Sequence, residues 1–264
     1  MKVKVAAVQM DCVLGEKDKN IAKATKFVEE AGQKGAQLIA FPELFSTGYR
    51  LEENYYRFSE YIPEGDTVKE FEGIAKENQV YIVGCMVERG ENRDTCYNSA
   101  FLVGPQGYIG KIRKAQLWGR EKLYFSAGPL KREVFDTKLG KIGITICYEI
   151  GFPEIVRDLA LQGADIIVEL SAVGRPRAYA WDLMSRSRAL ENGCFVVVSD
   201  RVGKEMDTVF SGLSKIISPK GDILASAKNT ESEEVIVKEI DLEDITSQRA
   251  DIPYLKDHLT WLNK

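Results

Sequence analysis

Histidine is almost absent: His258, near the end of the 264-residue chain, is the only one. That excludes a Ser-His-Asp or Cys-His mechanism unless a tail supplies its base, and it denies a histidine metal site its ligands. Cysteine is sparse and odd in number, with Cys12, Cys85, Cys96, Cys147 and Cys194 and no CxxC spacing. Neither a disulfide framework nor a cysteine zinc site is suggested, and a reducing compartment is. Long apolar runs are missing too. The run from Val5 to Met10 stops at Asp11, too short for a signal-peptide core or a bilayer span, so the expected setting is cytoplasmic with no membrane partner. A basic excess is also lacking: 36 Lys and Arg are mixed with 40 Asp and Glu for a net charge of -4, which leaves no stripe to neutralise nucleic-acid phosphates. No Pro/Gly/Ser-rich linker, fixed-period repeat or low-complexity tract divides the chain, so residues 1–264 read as a single domain near the upper size of one core.

What is present is alternation. Residues 2–10 read as a strand, and residues 18–33 as a helix with Ile21, Ala24, Val28 and Ala31 on one face and Gly35 past its end. LIAF (38–41) is a continuous apolar run, as in a strand covered on both faces, and it stops at Pro42-Glu43, which puts Glu43 at the end of a central strand. A helix over 67–78 precedes strands at 81–89, 97–105 and 107–117, the last two joined by a Pro-Gln-Gly turn. Further on come a strand at 164–170, a helix at 178–192 and strands at 194–200, 213–219, 222–227 and 234–240, with SPKGD as a hairpin turn. Helices and strands in this order predict two β-sheets packed face to face with helices outside, an α/β sandwich.

The chain is organised around residues 140–154, GKIGITICYEIGFPE. Ile142, Ile144 and Ile146 alternate with Gly143, Thr145 and Cys147; Gly151 and Pro153 then break the strand, and EIVRDLALQG follows with Ile155, Val156, Leu159 and Ala160 at helical spacing. A cysteine at a strand-turn-helix corner lies near the positive end of a helix dipole, which lowers a thiol pKa from ~8.5 toward ~3.5–7.5. Cys147 reads as a nucleophile, although the position also suits a small buried hydrophobe. With His258 the only histidine and near the end of the chain, its base would be a carboxylate. Lys114 shares strand parity with Tyr108, Gly110 and Ile112, so its ammonium falls on their less polar face while Lys111 and Arg113 take the other. Burying an ammonium unpaired costs several kcal/mol, which makes Glu43 and Glu121 suitable neighbours. A solvated lysine on an edge strand and an exposed turn glutamate are the alternatives.

Taken together, FPELFSTGY around Glu43, GKIRKAQLWGREKLYFSAG around Lys114 and Glu121, and ICYEIGFPE around Cys147 resemble the three signature blocks of the nitrilase superfamily of carbon-nitrogen hydrolases. VAAVQMD, YNSAFLVGPQG, RALEN and SPKGDIL extend the resemblance over nearly the whole chain. It implies a four-layer α-β-β-α sandwich of the nitrilase type, usually dimerised. The implied catalytic set is Glu43 as base, Lys114 and Cys147, with Glu121 as second glutamate, and it needs no metal or organic cofactor. The backbone N–H of Tyr148 is then the expected second oxyanion donor, and Tyr49 and Arg175 are expected to touch substrate. The implied reaction is hydrolysis of a small amide through a cysteine thioester with release of ammonia. Hydrolysis of an N-carbamoyl amine and then of a nitrile are the alternatives within the family. Outside it stand a non-catalytic binding module, disfavoured by the intact Glu-Lys-Glu-Cys set, and a thiol redox protein, disfavoured by the missing CxxC partner.

Three departures qualify the resemblance. Gln116 replaces a common histidine, and Cys147-Tyr148-Glu149 replaces Cys-x-Asp. Where hydrolases of N-carbamoyl amino acids carry two arginines after the cysteine, this chain has Ile150 and Gly151, which predicts a preference for neutral aliphatic amides; Arg175 and Arg177 are the alternative carboxylate binders. For the expected dimer, Ile155, Leu159, Trp181, Leu183 and Met184 either cover a partner or face their own sheet.

Overall fold

Along β1 (Lys2–Gln9), Val3, Val5 and Ala7 enter one hydrophobic cluster and Ala6 and Val8 another, so successive side chains are buried on opposite faces and the strand needs a cover on both. The same division recurs through the computed structural model, which describes residues 1–258. The last six residues of the expected single domain lie outside the described residues.

After β1 the chain forms α1 (Lys17–Gln33), β2 (Leu38–Ala40), the one-turn α2 (Tyr55–Phe58), α3 (Asp66–Asn78), β3 (Tyr81–Arg89), β4 (Cys96–Gly104), β5 (Gly107–Arg113) and the one-turn α4 (Glu121–Tyr124). It continues through β6 (Val134–Thr137), β7 (Gly140–Ile146), α5 (Pro153–Leu161), β8 (Ile166–Ser171), α6 (Ala178–Asn192), β9 (Phe195–Asp200), the ribbon β10 (Lys204–Glu205) and β11 (Thr208–Val209), β12 (Lys215–Ile217), β13 (Ile223–Ser226), β14 (Glu234–Asp241) and α7 (Glu243–Asp251). One sheet has the order β14-β1-β2-β3-β4-β5 and the other β13-β12-β9-β8-β7-β6. In each, parallel strands occupy the middle and antiparallel strands the edges.

Two clusters make four layers. Phe41, Phe71, Phe101, Val28 and Ile74 lie between the first sheet and α1 with α3, where Phe41, Phe45 and Phe71 pack ring on ring at 5.1–5.8 Å. The larger cluster takes the inward residues of both sheets, such as Val5, Leu102, Ile144 and Val197, and continues under α5 and α6 through Leu159 and Trp181. Each such apolar side chain contributes about 1.5–3 kcal/mol when fully buried, so sheet stacking outweighs the weak intrinsic strand preferences. The order of layers is helix, sheet, sheet, helix, the expected α-β-β-α sandwich.

Differences from expectation are local. Residues 213–219 pair only over Lys215–Ile217, and residues 107–117 leave the ladder after Arg113. The SPKGD turn is present, with Ser218 N–H donating to Asp222 O at 2.9 Å. The sequence pattern does not show the short helices, α7, β6 or the β10–β11 ribbon, which are too short or too polar for a periodic signal.

Candidate active site

Three chain segments end at the same place between the sheets. Glu43 follows β2, and its N–H donates at 3.3 Å to the carbonyl of Ser171 at the end of β8. Lys114 follows β5, and its N–H donates to Asn98 O at 2.8 Å, which holds the residue on β4 after the strand proper has ended. Cys147 follows β7 and opens a 3-10 turn over Cys147–Gly151 with φ of 51°, a left-handed value that costs a non-glycine residue about 1–3 kcal/mol. That kink turns the thiol out of the strand. Leu44, beside Glu43, has φ of 50° as well.

The Lys114 ammonium is fully buried and donates to Glu43 Oε1 at 2.7 Å and to Glu121 Oε1 at 2.8 Å. A buried ammonium holds its charge only if paired, and here two carboxylates share it. Burial works to lower the Lys114 pKa, but Glu121 and Glu43 outweigh it and hold the group protonated above the ordinary lysine value. Glu121 also accepts the Tyr49 hydroxyl at 2.7 Å and the Trp118 N–H at 2.9 Å, which fixes its carboxylate on both oxygens. Glu43 Oε1 takes a second bond from Asn98 Nδ2 at 2.7 Å, whereas Oε2 has no partner within hydrogen-bond distance and the Cys147 thiol is close enough to act on the carboxyl. Burial raises Glu43 above the usual carboxylate range, with Lys114 opposing.

The expectation of a helix-lowered thiol pKa is corrected by this arrangement. The helix α5 begins only at Pro153, beyond the 3-10 turn, so its positive end is not at Cys147. Burial first, and the Glu43 carboxylate second, push the thiol well above its ordinary value, and Lys114 offsets part of the rise. Cys147 therefore rests protonated beside a carboxylate of raised pKa. That is a nucleophile with a base adjacent, the arrangement thiol catalysis needs when the thiolate is not stable on its own.

Above the thiol lies a pocket of about 130 Å³ whose wall includes Tyr49, Trp118, Glu121, Val173, Arg177 and Trp181. Tyr148 follows Cys147, and its ring packs against Trp118 at 4.8 Å and Phe152 at 5.1 Å. Its N–H is at the second position of the turn, where a 3-10 helix offers no acceptor of its own. The structure thus brings Glu43, Lys114, Glu121, Cys147, Tyr148 and Tyr49 together. Arg175 is not among them: it is exposed, 3.7 Å from Glu231, and Arg177 takes the place on the pocket wall.

Residues 4–250 match the carbon-nitrogen hydrolase family. The chain belongs to that family. It is 46% identical over 249 residues to a nitrilase of Pyrococcus abyssi (strain GE5 / Orsay), covering 94% of this chain and 93% of the relative. It is 34% identical over 271 residues to an N-carbamoylputrescine amidase of Solanum lycopersicum, covering 94% and 89%. A solved structure from Saccharomyces cerevisiae, a member of branch 10 of the nitrilase superfamily, is similar with a TM-score of 0.88 and 31% identity over 96% of this chain and 94% of that one.

In this carbon-nitrogen hydrolase four supporting side chains went unassigned from sequence. Asn98 bridges Glu43 and the Cys85 thiol, which donates to Asn98 Oδ1 at 3.1 Å; its signal was a polar residue at the inward parity of Ala100 and Leu102. Glu149 and Arg132 form a buried ion pair beneath the nucleophile turn. Arg188, from the RALEN segment, donates from Nε to Ile150 O at 2.9 Å and ties α6 to that turn. Glu149 also had a signal, its place two residues after the cysteine, whereas Arg132 and Arg188 had none.

Proposed function

We propose that this carbon-nitrogen hydrolase cleaves a small amide through a Cys147 thioester and releases ammonia. The observation that carries the reading is the Lys114 ammonium, buried and within 2.8 Å of both Glu43 and Glu121, beside a buried thiol. Glu43 takes the Sγ proton as sulfur attacks the amide carbon. The oxyanion that forms is stabilised by the Lys114 ammonium and the Tyr148 N–H. Glu43 then gives its proton to the nitrogen, the C–N bond breaks and ammonia leaves. A water deprotonated by Glu43 attacks the thioester, the acid departs, and Glu43 returns the proton to sulfur. Glu121 orients Lys114 and, with Tyr49, the substrate.

The named activity of the Solanum relative supports an amide-type bond, and that of the Pyrococcus relative makes nitriles the second reading. Five free buried cysteines suit a reducing, cytoplasmic setting.

Ammonia release from butyramide, an N-carbamoyl amine and butyronitrile tests the reading, with each cysteine replaced in turn by alanine. The amide should be the best substrate, and Cys147→Ala alone should abolish turnover. Near wild-type activity in Cys147→Ala would remove the thiol mechanism, and a nitrile turned over faster than the amide would promote the second reading.

A further inference from the structure

The stretch from Glu43 to Arg50 has the base at one end and the pocket wall at the other, and it belongs to no helix or strand. Leu44 O accepts the N–H groups of Thr47 and Gly48 at 3.2 and 2.9 Å. The next two N–H groups converge on one side chain. Glu205 Oε2 accepts Tyr49 N–H at 3.0 Å and Arg50 N–H at 2.8 Å, and Oε1 lies 3.1 Å from the Tyr49 nitrogen. Successive N–H groups aimed at one acceptor make the kind of concavity that binds an anion, and here the chain supplies the anion itself.

Glu205 is buried and is held from behind. The fully buried Arg201 pairs with its Oε1, donates to Cys12 O at 2.9 Å and to Asp11 Oδ1 at 3.2 Å, and stacks at 4.1 Å on the Phe210 ring. Phe210 meets the Tyr49 ring edge-on at 6.3 Å. Gly48, with φ of 82°, leaves room for the carboxylate, since a Cβ there would come within 2.6 Å of Glu205 Oε1. From Tyr49 the contacts continue to the reacting groups: its hydroxyl donates at 2.7 Å to Glu121 Oε1, the same oxygen that accepts Lys114 Nζ at 2.8 Å. Glu205 itself is not on the pocket wall.

We infer that Glu205 is a positioning residue for the hydrolysis: it fixes the Tyr49 backbone so that the Tyr49 hydroxyl orients Glu121 and, through Glu121, the Lys114 ammonium. The inference deepens the amidase reading of the same site and rests on it. An ionised acceptor suits the task, because hydrogen bonds to a carboxylate are roughly twice as strong as those between neutral groups. Glu205→Asp keeps the charge beside Arg201 but is a methylene short of the Tyr49 and Arg50 N–H groups. Glu205→Gln keeps the length but turns a donor toward a site that needs an acceptor. A displacement of about 1 Å remote from the chemistry can cost roughly a hundredfold in rate. Phe210 and Glu121 still hold the Tyr49 side chain, so the expected loss is smaller, about tenfold.

The test is a cycle of Glu205→Asp, Tyr49→Phe and the double variant, assayed by kcat/KM for butyramide. Each single variant should lose about tenfold, and the double variant should fall less than about twofold below Tyr49→Phe, because both changes break one line of contacts. A loss of fold stability that acted by another route would instead multiply the two effects. Undiminished activity in Glu205→Asp overturns the inference, as do additive losses or a Tyr49→Phe protein that keeps full activity while Glu205→Asp does not. Alkylation of Cys147 by iodoacetamide, read by mass after digestion, tests the same positioning without turnover, since the Lys114 charge acts on the thiol. The rate should fall about threefold in each single variant and no further in the double, and equal rates in wild type and Glu205→Asp overturn the inference. No turnover of butyramide by the wild type would sink the amide reading alone, and the alkylation rates would still decide the inference. Should Glu205→Asp fail to fold, Glu205→Gln carries the cycle with the same expected and overturning results.

Discussion

Glu149 reaches from the turn that carries Cys147 to the backbone that follows Lys114: its Oε1 accepts the Ala115 N–H at 2.7 Å while Oε2 accepts the Ile146 N–H at 3.0 Å. Arg132 pairs with the same carboxylate and donates to Arg113 O at 2.8 Å. One buried ion pair thus sets the spacing between a segment of each sheet, and with it the distance from thiol to ammonium.

Glu149→Gln should therefore act on stability and turnover together. The substitution leaves Arg132 buried without its counter-ion, a loss of about 3–5 kcal/mol when one partner of a buried pair is removed. Glu149→Asp keeps the charge but shortens the reach, so it should recover much of the stability while kcat stays low and KM changes little. Urea unfolding and steady-state kinetics on both variants measure this. A folded Glu149→Asp protein with wild-type kcat would show that the brace does not position the catalytic groups.

The two glutamates around Lys114 should separate by role. Glu43→Gln should accumulate no acyl-enzyme, because no base remains for the thiol, whereas Glu121→Gln should fold and turn over slowly from loss of positioning. Intact-mass analysis after mixing with substrate reads the difference. Since burial raises the Glu43 carboxyl, the acid limb of kcat/KM should also lie above the usual carboxylate range. Rapid acylation of Glu43→Gln protein would contradict the assignment.

Glu169, behind Trp181, is fully buried and pushed up to about 8, and Asp200 is pushed up to about 7, in both cases chiefly by burial. Each raised pKa means the folded state binds more protons than the unfolded chain between the ordinary carboxyl value and the folded one. Unfolding free energy must then fall as pH rises: the contribution is complete below the unfolded pKa and is lost as pH passes through about 7 and about 8. Urea midpoints at roughly pH 5, 7 and 9 should decrease, and Glu169→Gln should flatten the trend. A midpoint that climbs toward alkaline pH would show these groups to be ionised in the fold.

The dimer expectation sharpens to particular side chains. Ile155, Leu159 and Trp181 face their own sheet and Met184 packs against the same cluster, but Leu183 is 69% exposed, and Tyr179, on the same helix, 78%. An association that covers α6 should give a dimer in light scattering, and Leu183→Asp should shift it toward monomer. A wild-type monomer at micromolar concentration would remove the proposal.

How much of this was legible depends on the kind of signal. Strands such as β8 and β9, and helices such as α1, announce themselves because burial imposes a period on many residues at once. Lys114 and Glu43 were legible for the opposite reason: a charge at an inward position needs partners, and few were available. The pairing of Glu149 with Arg132 was not, since nothing in the local sequence tells that residues 17 apart will meet below a turn. The thiol environment was misread because a strand-turn-helix pattern does not reveal whether the turn intervenes between the cysteine and the helix. Arg177 and Arg175 differ by two positions, and only backbone direction decides which one faces the pocket.

The sheets themselves carry one further consequence. Glu43 and Lys114 extend from strands of one sheet, and Cys147 from a strand of the other. The base Glu43 and the ammonium Lys114 thus belong to one sheet and the thiol to the other, so their meeting at Cys147 comes into being only when the two layers close on each other. The labelling rate of Cys147 with a small electrophile is then a clock for that closure: during refolding, sulfur reactivity should change at the docking step rather than when the strands first pair, which makes the nucleophile a built-in reporter of assembly within a single chain.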